Sequence, residues 1–104
     1  MVEFQYRGLN FLFEHDPTDA SFFRMLLPNI EPSNEINEDI RNNMIRVTTV
    51  YKMGKCLLVN ENQVWMSVDG LSFSREKMEP VFQRMMDILC QMFRDYRTHG
   101  GQQQ

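Results

Sequence analysis

Apolar and polar positions alternate strictly at the start of the chain. Val2, Phe4 and Tyr6 alternate with Glu3, Gln5 and Arg7, and Leu9, Phe11 and Phe13 with Asn10, Leu12 and Glu14. A period of two marks a half-buried strand. Gly8 permits a tight turn between the two runs, which therefore predict a hairpin. His15-Asp16-Pro17-Thr18-Asp19 is a turn cluster. Ser21–Leu27 (SFFRMLL) has two readings. Asp16 can cap a short helix with Pro17 at its first position, whereas the aromatic content and the Pro28 stop suit a third strand. The strand is the reading adopted.

The period then changes. Ile36, Ile40, Met44, Val47 and Tyr51 recur at intervals of four, four, three and four, which is one helical face and predicts a helix from about Asn34 to Met53. Ser33 or Asn34 is the expected cap. Glu35, Glu38 and Asp39 near its start and Arg41, Arg46 and Lys52 further on match the helix dipole. Gly54 is the expected stop. The β-branched run Val47-Thr48-Thr49-Val50 competes with this reading. Cys56–Val59, the turn Asn60-Glu61-Asn62 and the alternating Gln63–Asp69 then predict a second hairpin. From Ser74 to about Arg97, Met78, Phe82, Met85, Leu89, Met92 and Tyr96 form a stripe widened by Val81, Ile88 and Phe93. Pro80 would be the sixth residue of that helix, so a kink or a short separate first turn is expected there. Gly100–Gln104 has nothing to bury and is expected to be a mobile tail.

The order β-β-β-α-β-β-α predicts an α+β fold, with an antiparallel sheet of about five strands and two helices packed on one face. At 104 residues the chain is a single domain, residues 1–99, with the tail at 100–104. The net charge of −3 offers no basic excess to neutralise a phosphate backbone, so no nucleic-acid partner is expected. No apolar run approaches the roughly 20 residues of a membrane helix, and MVEFQYRG carries no signal-peptide core. A cytoplasmic protein with no membrane partner is expected. Cys56 and Cys90 lie far apart without CxxC spacing, and two reduced thiols fit them better than a disulfide.

Candidate chemistry is sparse. His15 adjoins Asp16 in a turn and His99 sits near the C-terminus, and solvated histidine accounts for both. Cys56 is a nucleophile only if something lowers its pKa, and Lys55 beside it points to the other side of a strand. Glu35, Glu38 and Asp39 are explained by the helix N-terminus. No phosphate loop, HExxH or EF-hand loop is present, so no catalytic residue, metal or cofactor is assigned. An enzyme or small-ligand domain would need a pocket with convergent polar groups, for which Glu14, His15 and Asp16 are the candidates. Two features bear instead on protein contact. Trp65 and Leu12 belong to the strand faces opposite the main apolar sets, and exposed large apolar groups mark interfaces. The last helix also carries a surplus beside its main row, Met86, Cys90 and Phe93, which calls for a second surface: a partner subunit or another helix of the same domain.

Three stretches carry a resemblance. IRNNMIRVTTVYKMGKCLLVNENQVWMSVDG (Ile40–Gly70) runs from an asparagine-containing helix through a lysine-containing turn and a short strand to an amide-rich turn and a strand ending near an acid. SFSREKMEPVFQRMMDILCQMF resembles a closing helix with a Ser–Glu start, and GLNFLFEHDPTDASFFRMLLPNI a set of opening strands with a terminal proline. Together they resemble the YbjN-like group, whose fold is shared with the type III secretion chaperones. The resemblance covers residues 2 to about 97. It implies a bacterial, non-enzymatic protein that works through protein contacts, often as a homodimer. That fold usually opens with a helix that helps bind secreted substrates. Here the first strand begins at Val2, so substrate chaperoning is not expected. The expected role is an intracellular protein-binding module whose contact residues are Leu12 and Trp65, or Met86, Cys90 and Phe93.

Overall fold

A computed structural model describes residues 2–15, 18, 22–71 and 75–102. Strands β1 (Val2–Tyr6), β2 (Leu9–His15) and β3 (Phe22–Leu27) precede helix α1 (Glu38–Val50). The hairpin β4 (Gly54–Val59) and β5 (Gln63–Leu71) leads into helix α2 (Arg75–Gln102). The five strands form one antiparallel sheet in the order β1-β2-β3-β5-β4, with β3 at its centre. The α+β architecture and element order follow the alternation in the sequence, and Phe22–Leu27 is strand. Ser21, the turn residues Asp16, Pro17 and Asp19, and the Ser74 cap lie outside the described residues, as do Gln103 and Gln104.

Local chemistry sets the turns. Arg7 and Gly8 both adopt positive φ, 51° and 78°, the two-residue turn whose twist matches the flanking strands. Asn60 and Glu61 do the same between β4 and β5, with φ of 55° and 68°.

Helix α1 starts later than the periodicity predicts. Ser33 is occupied by a local turn, its hydroxyl accepting from the Glu35 amide at 3.2 Å and donating to the Glu35 carbonyl at 3.1 Å. Asn37 becomes the cap instead, its side-chain oxygen accepting from the Ile40 amide at 2.8 Å, with Glu38 and Asp39 in the first turn. The helix also stops earlier, at Val50, because Tyr51 is already extended. Gly54 is therefore the first residue of β4 rather than a helix stop. The threonines that argued for a strand find partners that suit a helix. Thr49 donates its hydroxyl to the Ile45 carbonyl at 2.8 Å, and Thr48 accepts the Cys56 amide at 3.0 Å.

Helix α2 runs as one helix through Pro80, so the separate first turn that was one of the two expectations is not formed. Pro80 is exposed and is the sixth residue of the helix, past the first turn in which proline costs no hydrogen bond. The helix also continues past Arg97 to Gln102, so residues 100–102, assigned to the tail, are helical. Continuing an established helix adds a hydrogen bond per residue without a new nucleation step.

The core lies between the sheet and both helices. Phe11, Phe23, Met25, Val64, Met66 and Val68 from the sheet meet Val47 of α1 and Met85, Leu89, Met92 and Tyr96 of α2. Rings of Phe13, Phe23 and Phe82 cluster at centroid separations of 4.9–5.8 Å. Cys90 is 4 % exposed and belongs to this core. Met86 and Phe93 are half-buried and packed against it. Much of the surplus on α2 is thus taken up within the domain. Cys90 is corrected from a contact candidate to a core residue, since the outer strands and α1 widen the surface that α2 must cover.

Candidate functional site

Strand alternation sorts the sheet into two sets of side chains. One set faces the helices and forms the core. The other contains Leu12, Leu26, Leu57, Val59 and Trp65, all of them outside the core cluster. Register aligns this second set in rows across the strands. Glu3 pairs with Leu12, Leu12 with Leu26, Leu26 with Ser67, and Ser67 with Lys55. Two and four residues back along β5 on the same face, Trp65 pairs with Leu57 and Gln63 with Val59. On the other side, Glu14 pairs with Arg24 and Arg24 with Asp69.

Leu26 is the informative member. It is 6 % exposed although it points away from the core. In register it lies between Leu12 and Ser67. Ser67 beside it is fully buried, and its hydroxyl has no hydrogen-bond partner among the described residues. The Trp65 ring lies along its strand, its indole N–H donating to the Gln63 side-chain oxygen at 3.1 Å. Arg24 donates to both Asp69 oxygens, at 2.6 and 3.4 Å, and Lys55 lies 3.8 Å from the same carboxylate. The Asp69 carboxylate is the main cause of a raised Arg24 pKa, so this guanidinium is charged at every working pH. The face is an apolar band bordered by Glu14, Arg24 and Asp69 at one end and by Glu3 and Lys55 at the outer strands.

The structure bears on each predicted site residue. Leu12 and Trp65 lie together on this open face, half-buried. Met86 and Phe93 lie on the other side of the sheet with α2, and Cys90 is inside. Sequence reasoning missed Leu26, Leu57 and the Arg24–Asp69–Lys55 cluster. Its available signal was the unbroken apolar character of MLL and CLLV, which makes both strand faces apolar. Glu14 and His15 are both exposed and, as successive strand residues, point to opposite sides of β2. Asp16 lies outside the described residues.

Cys56 lowers rather than raises the case for nucleophilic chemistry. Burial pushes its thiol up to about 11, against smaller opposing effects of the Thr48 hydroxyl and Arg46. Burial likewise raises the Cys90 thiol, and both cysteines are free. Among the described residues no three His, Cys, Asp or Glu side chains are grouped to hold a metal, and no helix is long and apolar enough to cross a membrane. A second apolar area lies between α1 and β4, a groove of about 370 Å³ lined by Arg41, Met44, Ile45, Thr48, Cys56 and Leu58. Its outer wall includes Ile45, 64 % exposed.

Comparison with protein-family models, with curated proteins and with solved structures finds no match to this chain.

Proposed function

We propose that this chain is a non-enzymatic protein-binding module that engages its partner through the open face of its sheet. The carrying observation is Leu26, buried outside the core cluster on the sheet face it shares with Leu12, Trp65 and Leu57. Apolar side chains gathered on an uncovered face favour association, because a partner removes them from water at roughly 25 cal/mol per Å². Tryptophan flanked by aliphatic groups is a common anchor of such contacts. The resemblance of Ile40–Gly70 to the YbjN-like group supports the same reading, since it implies work through protein contacts and transfers no catalytic residue.

Trp65→Ala tests it. Association, measured as bound protein recovered on the immobilised full chain and as self-association in sedimentation, should fall about tenfold or more. The melting temperature should move little, because Trp65 lies outside the core. A large fall in melting temperature with association unchanged would make Trp65 structural and remove the reading.

A further inference from the structure

Met44, Ile45 and Thr48 follow Arg41 at the spacings that share one face of α1, and all four line the groove beside β4. β4 returns along this face after the short link Tyr51–Met53, and the Cys56 amide donates to the Thr48 hydroxyl at 3.0 Å. That bond ties helix to strand at one end of the groove. Leu58 lies two residues further along β4, toward the Arg41 end. Met44 and Cys56 are half-buried against the core and form the floor. Ile45 and Leu58 are exposed and form the rims. The volume of about 370 Å³ falls within the roughly 300–1,000 Å³ of small-ligand clefts.

The polarity of this groove is confined to one end. Thr49 uses its hydroxyl on the Ile45 carbonyl, and Thr48 accepts the Cys56 amide. Arg41 is the only charged residue of the described lining, and its guanidinium meets no acid among the described residues. A carboxylate placed there gains a bidentate partner. A peptide strand added to the free edge of β4 would need the Cys56 amide, which Thr48 already holds. An alkyl chain needs no hydrogen bond and loses nothing by this. From Arg41 to Thr48 the helix rises about 10 Å at 1.5 Å per residue. An extended alkyl chain advances roughly 1.3 Å per carbon–carbon bond of about 1.5 Å, so about eight bonds cover that length. We propose that the groove between α1 and β4 binds a medium-chain aliphatic carboxylate of about ten carbons. The head group pairs with Arg41, and the tail lies between Ile45 and Leu58. This site is on the helix side of the sheet and is independent of the open face.

The test titrates the isotope-labelled full chain with decanoate, kept below micelle formation, and reads amide NMR shifts and calorimetry. The expected result is one site with Kd on the order of 100 µM. Shifts should centre on α1 and β4, with none at Leu12 or the Trp65 indole. From hexanoate to decanoate, each methylene should tighten binding about twofold to fourfold, and longer chains should add nothing because they leave the groove. Arg41→Gln should weaken decanoate about tenfold and leave 1-decanol unchanged. Decylamine should bind the unaltered chain at least about tenfold more weakly than decanoate does. Ile45→Glu, at an exposed position, should abolish binding with little change in melting temperature, and Trp65→Ala should leave binding intact. No saturable shift up to about 1 mM decanoate, ten times the expected Kd, overturns the proposal. So do shifts centred on the open face, equal affinity for decylamine, or an Arg41→Gln variant that binds decanoate as before. Saturable binding of a leucine-rich pentapeptide with a free carboxylate, where decanoate shows none, overturns it in favour of a peptide site.

Discussion

The side-chain amide of Asn43, buried in α1, donates to the main-chain carbonyl of Tyr96 in α2 at 3.0 Å. This bond crosses between the two helices at a point where both are packed on the sheet. The Asn43 oxygen is also used, accepting from the Arg46 guanidinium at 2.8 and 3.2 Å. Arg46 in turn reaches Asp95 at 3.0 Å, and Asp95 accepts from the Tyr51 hydroxyl at 3.1 Å. A single asparagine thus sits at the head of a polar strip that fixes how α1 lies against α2. Asn43→Ala should cost about 1–3 kcal/mol, the range for removing a satisfied buried polar group. Urea unfolding measures it as a lower midpoint at unchanged slope. A change below about 0.5 kcal/mol would mean that water replaces the amide without loss.

Gly54 opens β4 at a close approach to α2. A Cβ placed there would meet the Met92 side chain, with its terminal methyl carbon 2.7 Å away. Met92 is fully buried, so its chain can move only by displacing core neighbours. Gly54→Ala should therefore destabilise the fold by about 1–3 kcal/mol, the usual cost of overpacking. Met92→Ala should cost about 2–5 kcal/mol by leaving a cavity. The double variant should be less destabilised than the sum, because the new methyl group occupies part of that cavity. Thermal unfolding of the four proteins gives the coupling directly, and simple additivity would show that the two sites do not share space.

Much of this arrangement was legible in the residues. The alternation of Val2–Phe13 and of Gln63–Asp69 names which side chains enter the core, and Arg7-Gly8 supplies the turn that sets their register. The start of α1 was not legible, because Ser33 and Asn37 are both followed by acids. What separates them is the Ser33–Glu35 turn, a hydrogen-bond pattern rather than a residue preference. The role of Gly54 was hidden because its neighbour, Met92, is nearly forty residues away in sequence. The open face was half visible. Leu12 and Trp65 stand out as apolar residues at polar positions, but Leu26 is one of three successive apolar residues, and only strand pairing shows which of them leaves the core.

Buried titrating groups give the fold an alkaline limit. Cys56 has its pKa raised from 9.0 to about 11, chiefly by burial. Tyr96 is also raised from 10.0, first by burial and then by the hydrogen bond its hydroxyl donates to Glu31 at 2.7 Å. Tyr51 is raised by burial and by Asp95. In each case the folded state holds the proton more tightly than the unfolded chain. The stability this adds is whole below the unfolded pKa and is lost as pH rises through the folded one. For Cys56 the loss falls between pH 9 and about 11 and amounts to about 2–3 kcal/mol, at 1.36 kcal/mol per unit. The tyrosines add a further decline above pH 10. Urea midpoints at pH 7, 9 and 11 should therefore be flat over the first interval and fall over the second. Cys56→Ala should reduce the fall between pH 9 and 11, and Tyr96→Phe should reduce the part above pH 10 while costing stability at pH 7 through the hydrogen bond lost to Glu31. A midpoint that stays constant to pH 11 in the unaltered chain would show that both groups ionise in the folded state without hindrance, and that the burial assigned to them is relieved by local opening.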